Sequence, residues 1–153
     1  MNVAHRSATR ASSERQFMIT TWASSYKKSF AAGIITSEDW PAVMHQQLGK
    51  ILDRAGARAI IAYEKSDADY FYGWIAGDTT DAVPIVYYVY VKEPYRRSGI
   101  ARGLFSALGV EPGAYFVHVC ETPKSIELAS KIPRARFNPL EVRYPKENRR
   151  RPL

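Results

Sequence analysis

Apolar and polar positions change their period several times along the chain, and each change marks an element. From Ser13 onward Phe17, Ile19, Trp22, Ala23 and Tyr26 recur at about every third or fourth residue up to Lys28, the spacing of one helical stripe. Phe30 to Thr36 contains Gly33 and reads as a connector. Ser37 as N-cap, Glu38 and Asp39 in the first turn and Pro41 just inside then announce a second helix. It carries Trp40, Val43, Met44, Leu48, Ile51 and Leu52 and stops near Gly56.

The period then shortens to that of strands. Ala57 to Tyr63 and Tyr70 to Ala76 are rich in Ile and aromatics, and the polar Glu64 to Asp69 between them turns a hairpin. Ile85 to Val91 is an almost unbroken run of β-branched and aromatic residues, which predicts a central strand covered on both faces. Helical spacing returns with Ile100, Leu104, Phe105 and Leu108 until Gly109, and Ala114 to Cys120 is another apolar strand. Ser125 to Lys131 is a short helix bounded by Pro123 and Pro133, and Asn138-Pro139 leads into a last strand, Leu140 to Tyr144. Hairpins followed by one strand–helix–strand crossover predict an α+β layered fold.

Composition narrows the class. At 153 residues the chain suits one domain with a real core. With no repeat or linker, residues 1–145 form that domain and the basic 146–153 a tail. The start offers no apolar core of a secretory signal. A basic, hydroxyl-rich stretch with no acid before Glu14 also suits a mitochondrial presequence, but a first strand or a plain leader is the simpler expectation, with the cytoplasm as compartment. No apolar run is long enough to span a bilayer, so no membrane partner is expected. Cys120 is the only cysteine and His5, His45 and His118 are scattered, so neither a disulfide framework nor a metal site is expected. The net charge of +7 invites a nucleic-acid partner. Much of it is local, however, in Lys146, Arg149, Arg150 and Arg151.

The stretch from Val86 to Leu108 carries the chemistry. A buried strand ends at Val91, polar and proline residues follow, and Gly99 opens a helix. The first amides of a helix have no intrahelical partner and lie at the positive end of its dipole. A glycine there lets a phosphate approach the backbone, and Arg96, Arg97 and Arg102 add charge. Gly103 suits close packing of that helix on a sheet. No Gly-Lys-Ser/Thr follows and no G-x-G-x-x-G is present, so the nucleotide-binding loops of those patterns are excluded.

Arg96-x-x-Gly99-x-Ala101 resembles the Q/R-x-x-G-x-G/A motif of the GNAT N-acetyltransferase family. The similarity covers Ala57 to Cys120, and the two preceding helices by arrangement only. It implies a layered α/β/α fold on a mixed, largely antiparallel sheet, with a splayed pair of strands at the cofactor site. It implies acetyl-CoA as donor, its pyrophosphate on the amides of Arg97, Ser98, Gly99, Ile100, Ala101 and Arg102. Its pantetheine would pair with the backbone of Val89, Tyr90 and Val91 as an added strand. The implied reaction is direct attack by an amine acceptor that the sequence does not identify.

The acid–base set departs from the family pattern. Many members carry a carboxylate on the fourth strand, and none lies between Pro84 and Val91, with Asp81 and Glu93 only flanking. Glu121, after the fifth strand, takes the base by position, though a solvated strand-end carboxylate reads the same way. The family's tyrosine after the fifth strand is missing from Ser125 to Lys131. Tyr88 and Tyr90, on one face of the fourth strand by alternation, are the substitutes, with Tyr144, Ser125 and Ser130 behind them. Cys120 is placed either against the pantetheine arm or as an inert buried thiol. The acceptor site would lie between Ser29 to Asp39 and the loop Arg134 to Pro139. Two alternatives stand beside the enzyme: a non-catalytic binding or regulatory module, and a GNAT-like domain that docks to nucleic acid.

Overall fold

A computed structural model of the chain describes residues 1–8, 12–27, 35–119, 131–132 and 135–137. The chain opens with a strand, β1 (Val3–Ser7), followed by helices α1 (Ser12–Tyr26) and α2 (Trp40–Leu52). Strands β2 (Ala57–Glu64), β3 (Asp67–Asp78) and β4 (Ile85–Val91) come next, then helix α3 (Ile100–Leu108) and strands β5 (Phe116–His118) and β6 (Ala135–Phe137). Among the described residues the sheet is six-stranded, in sequence order. Pairs from β1 to β4 are antiparallel, and the β4–β5 and β5–β6 pairs are parallel. The expected α+β fold with a mixed, largely antiparallel sheet is what forms.

Helices cover both faces. On one, Met18, Ile19, Trp22 and Ala23 of α1 and Trp40, Met44 and Leu48 of α2 meet Ile61, Trp74, Tyr87 and Tyr88. On the other, Ile100, Leu104 and Leu108 of α3, spaced one turn apart, meet Ile60, Tyr72, Ile75 and Val86. Each such side chain removed from water contributes about 1.5–3 kcal/mol. β4 is therefore covered on both faces, as its unbroken apolar run predicts. Gly103 brings α3 down onto β1, since a Cβ there would lie 3.1 Å from His5 Nε2.

Polar groups fix the helices in place. The Trp40 indole N–H donates to the Ala23 carbonyl at 3.1 Å, and Arg15 forks onto Asp53 at 3.0 and 3.1 Å, joining α1 to α2. At the N-terminal strand, Arg6 pairs with the buried Glu14 at 2.7 Å and lies 4.3 Å over the Tyr63 ring.

Two neighbouring indoles make a test of hydrogen bonding in this core. Both Trp22 and Trp74 are fully buried, their ring centroids 5.5 Å apart. Trp74 Nε1 donates to Thr21 Oγ1 at 2.8 Å, whereas Trp22 Nε1 finds no acceptor among the described residues. Replacing either by phenylalanine removes similar volume, but Trp74→Phe breaks a bond, whereas Trp22→Phe removes a buried donor that has no acceptor among the described residues. We expect Trp74→Phe to be the more destabilising by roughly 2 kcal/mol, read from urea midpoints. Equal midpoints would contradict it.

Several boundaries differ from expectation. The N-cap of α2 is Asp39, not Ser37. Thr36 starts the turn early, its hydroxyl donating to the Asp39 carboxylate and accepting from the Asp39 amide at 3.3 Å. The β2–β3 turn is confined to Lys65 and Ser66, because both strands run on through polar positions. β5 is limited to Phe116–His118, shorter than Ala114 to Cys120. Ala135–Phe137 is a strand where a loop from Arg134 to Pro139 was expected, its backbone recruited by pairing with β5. Lys131 lies in a turn, and the remainder of the Ser125 helix, the Leu140 strand and the basic tail fall outside the described residues.

Candidate functional site

The site begins as an irregularity in β4. Ala76 of β3 stands opposite Tyr88 and Gly77 opposite Val86, so Tyr87 is an extra residue, a β-bulge. The bulge turns Tyr87 and Tyr88 to the same face of the sheet, toward α1 and α2, with Tyr90 following them. Val86, Val89 and Val91 face α3.

At the bulge β4 also parts from β5. Among the described residues the two strands pair only at Ile85–Val117 and Val86–His118. Beyond that point β4 keeps β3 on one side, from Tyr88 to Val91. The Lys92 amide donates to the Tyr72 carbonyl at 2.9 Å. By the alternation of an antiparallel ladder, Tyr90 also directs its backbone to β3, and Val89 and Val91 direct theirs to the opposite, β5 side. The Val91 carbonyl accepts from Arg96 Nε at 2.9 Å. That leaves the Val89 N–H and C=O and the Val91 N–H on an edge without a β5 partner among the described residues. Of the expected backbone set Val89, Tyr90 and Val91, Tyr90 is thus turned the wrong way to pair outward.

This edge runs into the turn before α3. A single 3-10 turn, Glu93–Tyr95, is followed by Arg96 in extended conformation, Arg97 at φ 64° and Gly99 at φ 84°. Two left-handed residues around Ser98 fold the chain sharply back. The Ser98 hydroxyl donates to the Tyr95 carbonyl. The first amide of α3 to bond within the helix is that of Gly103, to the Gly99 carbonyl at 3.0 Å, so those of Ile100, Ala101 and Arg102 are without intrahelical partners. Arg96, Arg97, Ser98, Gly99 and Arg102 are exposed, Ala101 is half-buried, and the Ile100 side chain is in the core, leaving only its amide for this site. Among the described residues a Cβ at Gly99 would meet nothing within 4 Å. No acid lies in the first turn of α3, and among the described residues none of Arg96, Arg97 and Arg102 is ion-paired. The mouth of the helix is open, positive and rich in donors, an arrangement suited to a multiply charged anion.

Tyrosines buttress the turn from below. The Tyr95 ring packs edge-on against Tyr72 at 4.8 Å and Tyr70 at 6.2 Å, and its hydroxyl bonds that of Tyr70. Tyr72 in turn donates to Glu64. Lys92 Nζ lies 4.7 Å over the Tyr70 ring and 5.5 Å over Phe17. Neither this support nor the left-handed Arg97 is signalled by the motif, although a tyrosine just before the turn and a tyrosine-rich hairpin are its only sequence traces.

The same chain of contacts titrates. The Tyr72 hydroxyl, then the Asn2 amide, hold the Glu64 carboxyl down from 4.5 to about 2, and Glu64 holds Tyr72 up to about 12. A carboxylate with a lowered pKa stabilises the fold above its ordinary value and loses that contribution as pH falls toward 2. A raised tyrosine does the reverse, its contribution present below 10 and lost as pH rises through 12. Carboxyl carbon-13 shifts should therefore show Glu64 still ionised at pH 3. Titration at an ordinary carboxylate pH would contradict the arrangement.

The acid–base candidates are less assembled. Tyr88 is buried, stacked on Trp22 at 5.3 Å and tilted against Trp74 at 5.8 Å. Tyr90 is half-buried, edge-on to Phe17 at 6.1 Å. Glu121, Cys120, Ser125, Ser130 and Tyr144 lie outside the described residues. Among the described residues no cluster of His, Cys, Asp and Glu could hold a metal ion, and no helix is long and apolar enough to cross a membrane.

Comparison with known proteins finds similarity in structure. No family model and no curated protein matches the sequence. A candidate acetyl transferase from Pyrococcus furiosus shares 18% identity at a TM-score of 0.60, over 92% of this chain and 99% of its own. A transcriptional regulator from Bacillus halodurans shares 12% at 0.54, over 86% and 92%. An aminoglycoside 6'-N-acetyltransferase from Acinetobacter baumannii shares 14% at 0.51, over 94% and 96%. The chain spans 62% of a candidate GNAT-family acetyltransferase from Desulfovibrio desulfuricans, at 19% identity and a TM-score of 0.42. At these identities the likeness is one of fold.

Proposed function

We propose that the chain is an acyltransferase that moves an acetyl or related acyl group from acetyl-CoA to an amine. The observation that carries this reading is the continuity of two surfaces: the open β4 edge at Val89 and Val91, and the unpartnered amides behind Gly99. A molecule with amides at one end and a diphosphate at the other fits both at once. Coenzyme A has that form. The fold shared with acetyltransferases supports the same reading.

In this reading the thioester lies where β4 and β5 part, beside the bulge at Tyr87. The amine nitrogen attacks the thioester carbonyl carbon, the C–S bond breaks, and the departing thiolate takes up a proton. Tyr90, half-buried on the strand that borders the gap, is the better placed of the two tyrosines to supply it, since Tyr88 is enclosed by indoles. Glu121 keeps the role of base by its position after β5.

A second reading, a binding module without turnover, is favoured by the absence of any carboxylate in Ile85–Val91. Calorimetric titration with acetyl-CoA followed by thiol release over a panel of amines separates the two. Saturable binding with thiol release supports the enzyme, saturable binding alone supports the module, and no binding removes both. The charge of +7 keeps nucleic-acid docking as a third outcome, identified by affinity that falls steeply with salt.

A further inference from the structure

The contact between Arg96 and Val91 bears on how a carrier arm would be placed. Arg96 is exposed and extended, yet it donates Nε to the carbonyl of the last residue of β4 at 2.9 Å. That carbonyl is on the same open edge as the backbone of Val89. An arm amide seeking a carbonyl on this edge would otherwise have two equivalent choices, two residues apart. Choosing Val91 in place of Val89 would slide the arm by about 6.6 Å, drawing its reactive end away from the bulge and overrunning the mouth of α3.

We propose that Arg96 is a positioning residue that sets the register of the acyl carrier on β4, by closing the Val91 carbonyl so that Val89 alone offers both N–H and C=O. This rests on the acyl-carrier reading above. The atom that acts is Nε, not the outer guanidinium nitrogens, so the function is that of a hydrogen-bond donor. Glutamine carries its amide nitrogen the same number of bonds from Cα as arginine carries Nε. Arg96→Gln therefore keeps the donor and drops the charge, while Arg96→Met keeps the length and drops the donor.

The full chain and both variants are titrated with coenzyme A, with pantetheine as arm alone, and with ADP as diphosphate alone. Arg96→Met should bind all three ligands within about twofold of wild type, because a second register gives the arm a further way to bind and removes none. Bound pantetheine should then show a second set of intermolecular NOEs, to Val91, roughly as populated as the set to Val89 that wild type shows alone. Arg96→Gln should restore the single set. In the wild type the Arg96 Nε–H resonance should persist when coenzyme A saturates. The proposal is overturned if Arg96→Gln shows the same two sets as Arg96→Met, if wild type itself shows both, or if the Nε–H signal vanishes on binding. Wild type that binds pantetheine in a single register, with no second set in Arg96→Met, overturns this inference alone. Wild type that binds none of the three overturns the reading beneath it as well.

Discussion

Gly99→Glu should abolish measurable binding of acetyl-CoA while leaving the protein folded. The backbone at Gly99 has φ 84°, where a side chain costs about 1–2 kcal/mol, a modest part of the 5–15 kcal/mol that holds a typical domain together. Among the described residues nothing lies within 4 Å of a Cβ there, so the new carboxylate has room to stand at the mouth of α3. There it would oppose the diphosphate. Two unit charges about 4 Å apart near a surface repel by about 4 kcal/mol, and each 1.4 kcal/mol is tenfold in affinity. The expected loss is two orders of magnitude or more. Gly99→Ala carries the same backbone cost without the charge and should lose far less. Calorimetry on the three proteins reads the difference, and equal affinity in wild type and Gly99→Glu would remove the donor site from this turn.

The largest effect on stability is expected at Gly73→Ala. A Cβ on Gly73 would lie 2.3 Å from the Tyr90 carbonyl oxygen and 3.1 Å from Val91 Cα. Both obstacles are main chain, so neither can swing aside as a side chain would. The β3–β4 pair must separate locally at the segment that presents the open edge. We expect a loss of about 3 kcal/mol or more, near 10 °C in melting temperature for a domain of this size. Gly49→Ala is the control. Its new Cβ meets only the Arg15 Nη2 at 3.2 Å, and the helix gains about 1 kcal/mol from the better former, so it should stay within about 1 kcal/mol of wild type. Comparable losses at the two positions would mean that the close approach of β3 and β4 is not the cause.

The elements most legible in the sequence are those whose side chains answer to one rule. α3 shows its stripe of Ile100, Leu104 and Leu108 and its stop at Gly109, whose φ of 101° ends the helix. The β2–β3 hairpin and the two-sided β4 follow from composition in the same way. Where two rules compete, the reading slips. Ser37 is a good capping residue, but Thr36 and Asp39 bond each other first and start the turn elsewhere. Ala135–Phe137 carries no strong strand pattern and becomes a strand only because β5 lies beside it.

For the site, the turn was legible because glycine and arginine spacing report directly on backbone freedom and charge. The bulge was not. In Val86-Tyr87-Tyr88-Val89-Tyr90-Val91 nearly every residue suits either face, so alternation cannot show that a residue is extra. The left-handed Arg97 was hidden for a related reason, since only glycine advertises a positive φ in sequence. Arg96 was read as charge for a phosphate, and its bond to Val91 appears only once the turn is folded.

The extra residue in β4 also gives the strand a parity. Up to Val86 the register with β3 is counted one way, and from Tyr88 it is counted one residue on. Deleting Tyr87 would leave Val86 opposite Gly77 and Tyr88 opposite Ala76 in one continuous ladder, with Tyr88 and Tyr90 still toward α1 and α2 and the valines still toward α3. The pairing with β3 and the faces of the sheet would survive. What would go is the added local twist that a bulge gives a strand, at the point where β4 leaves β5.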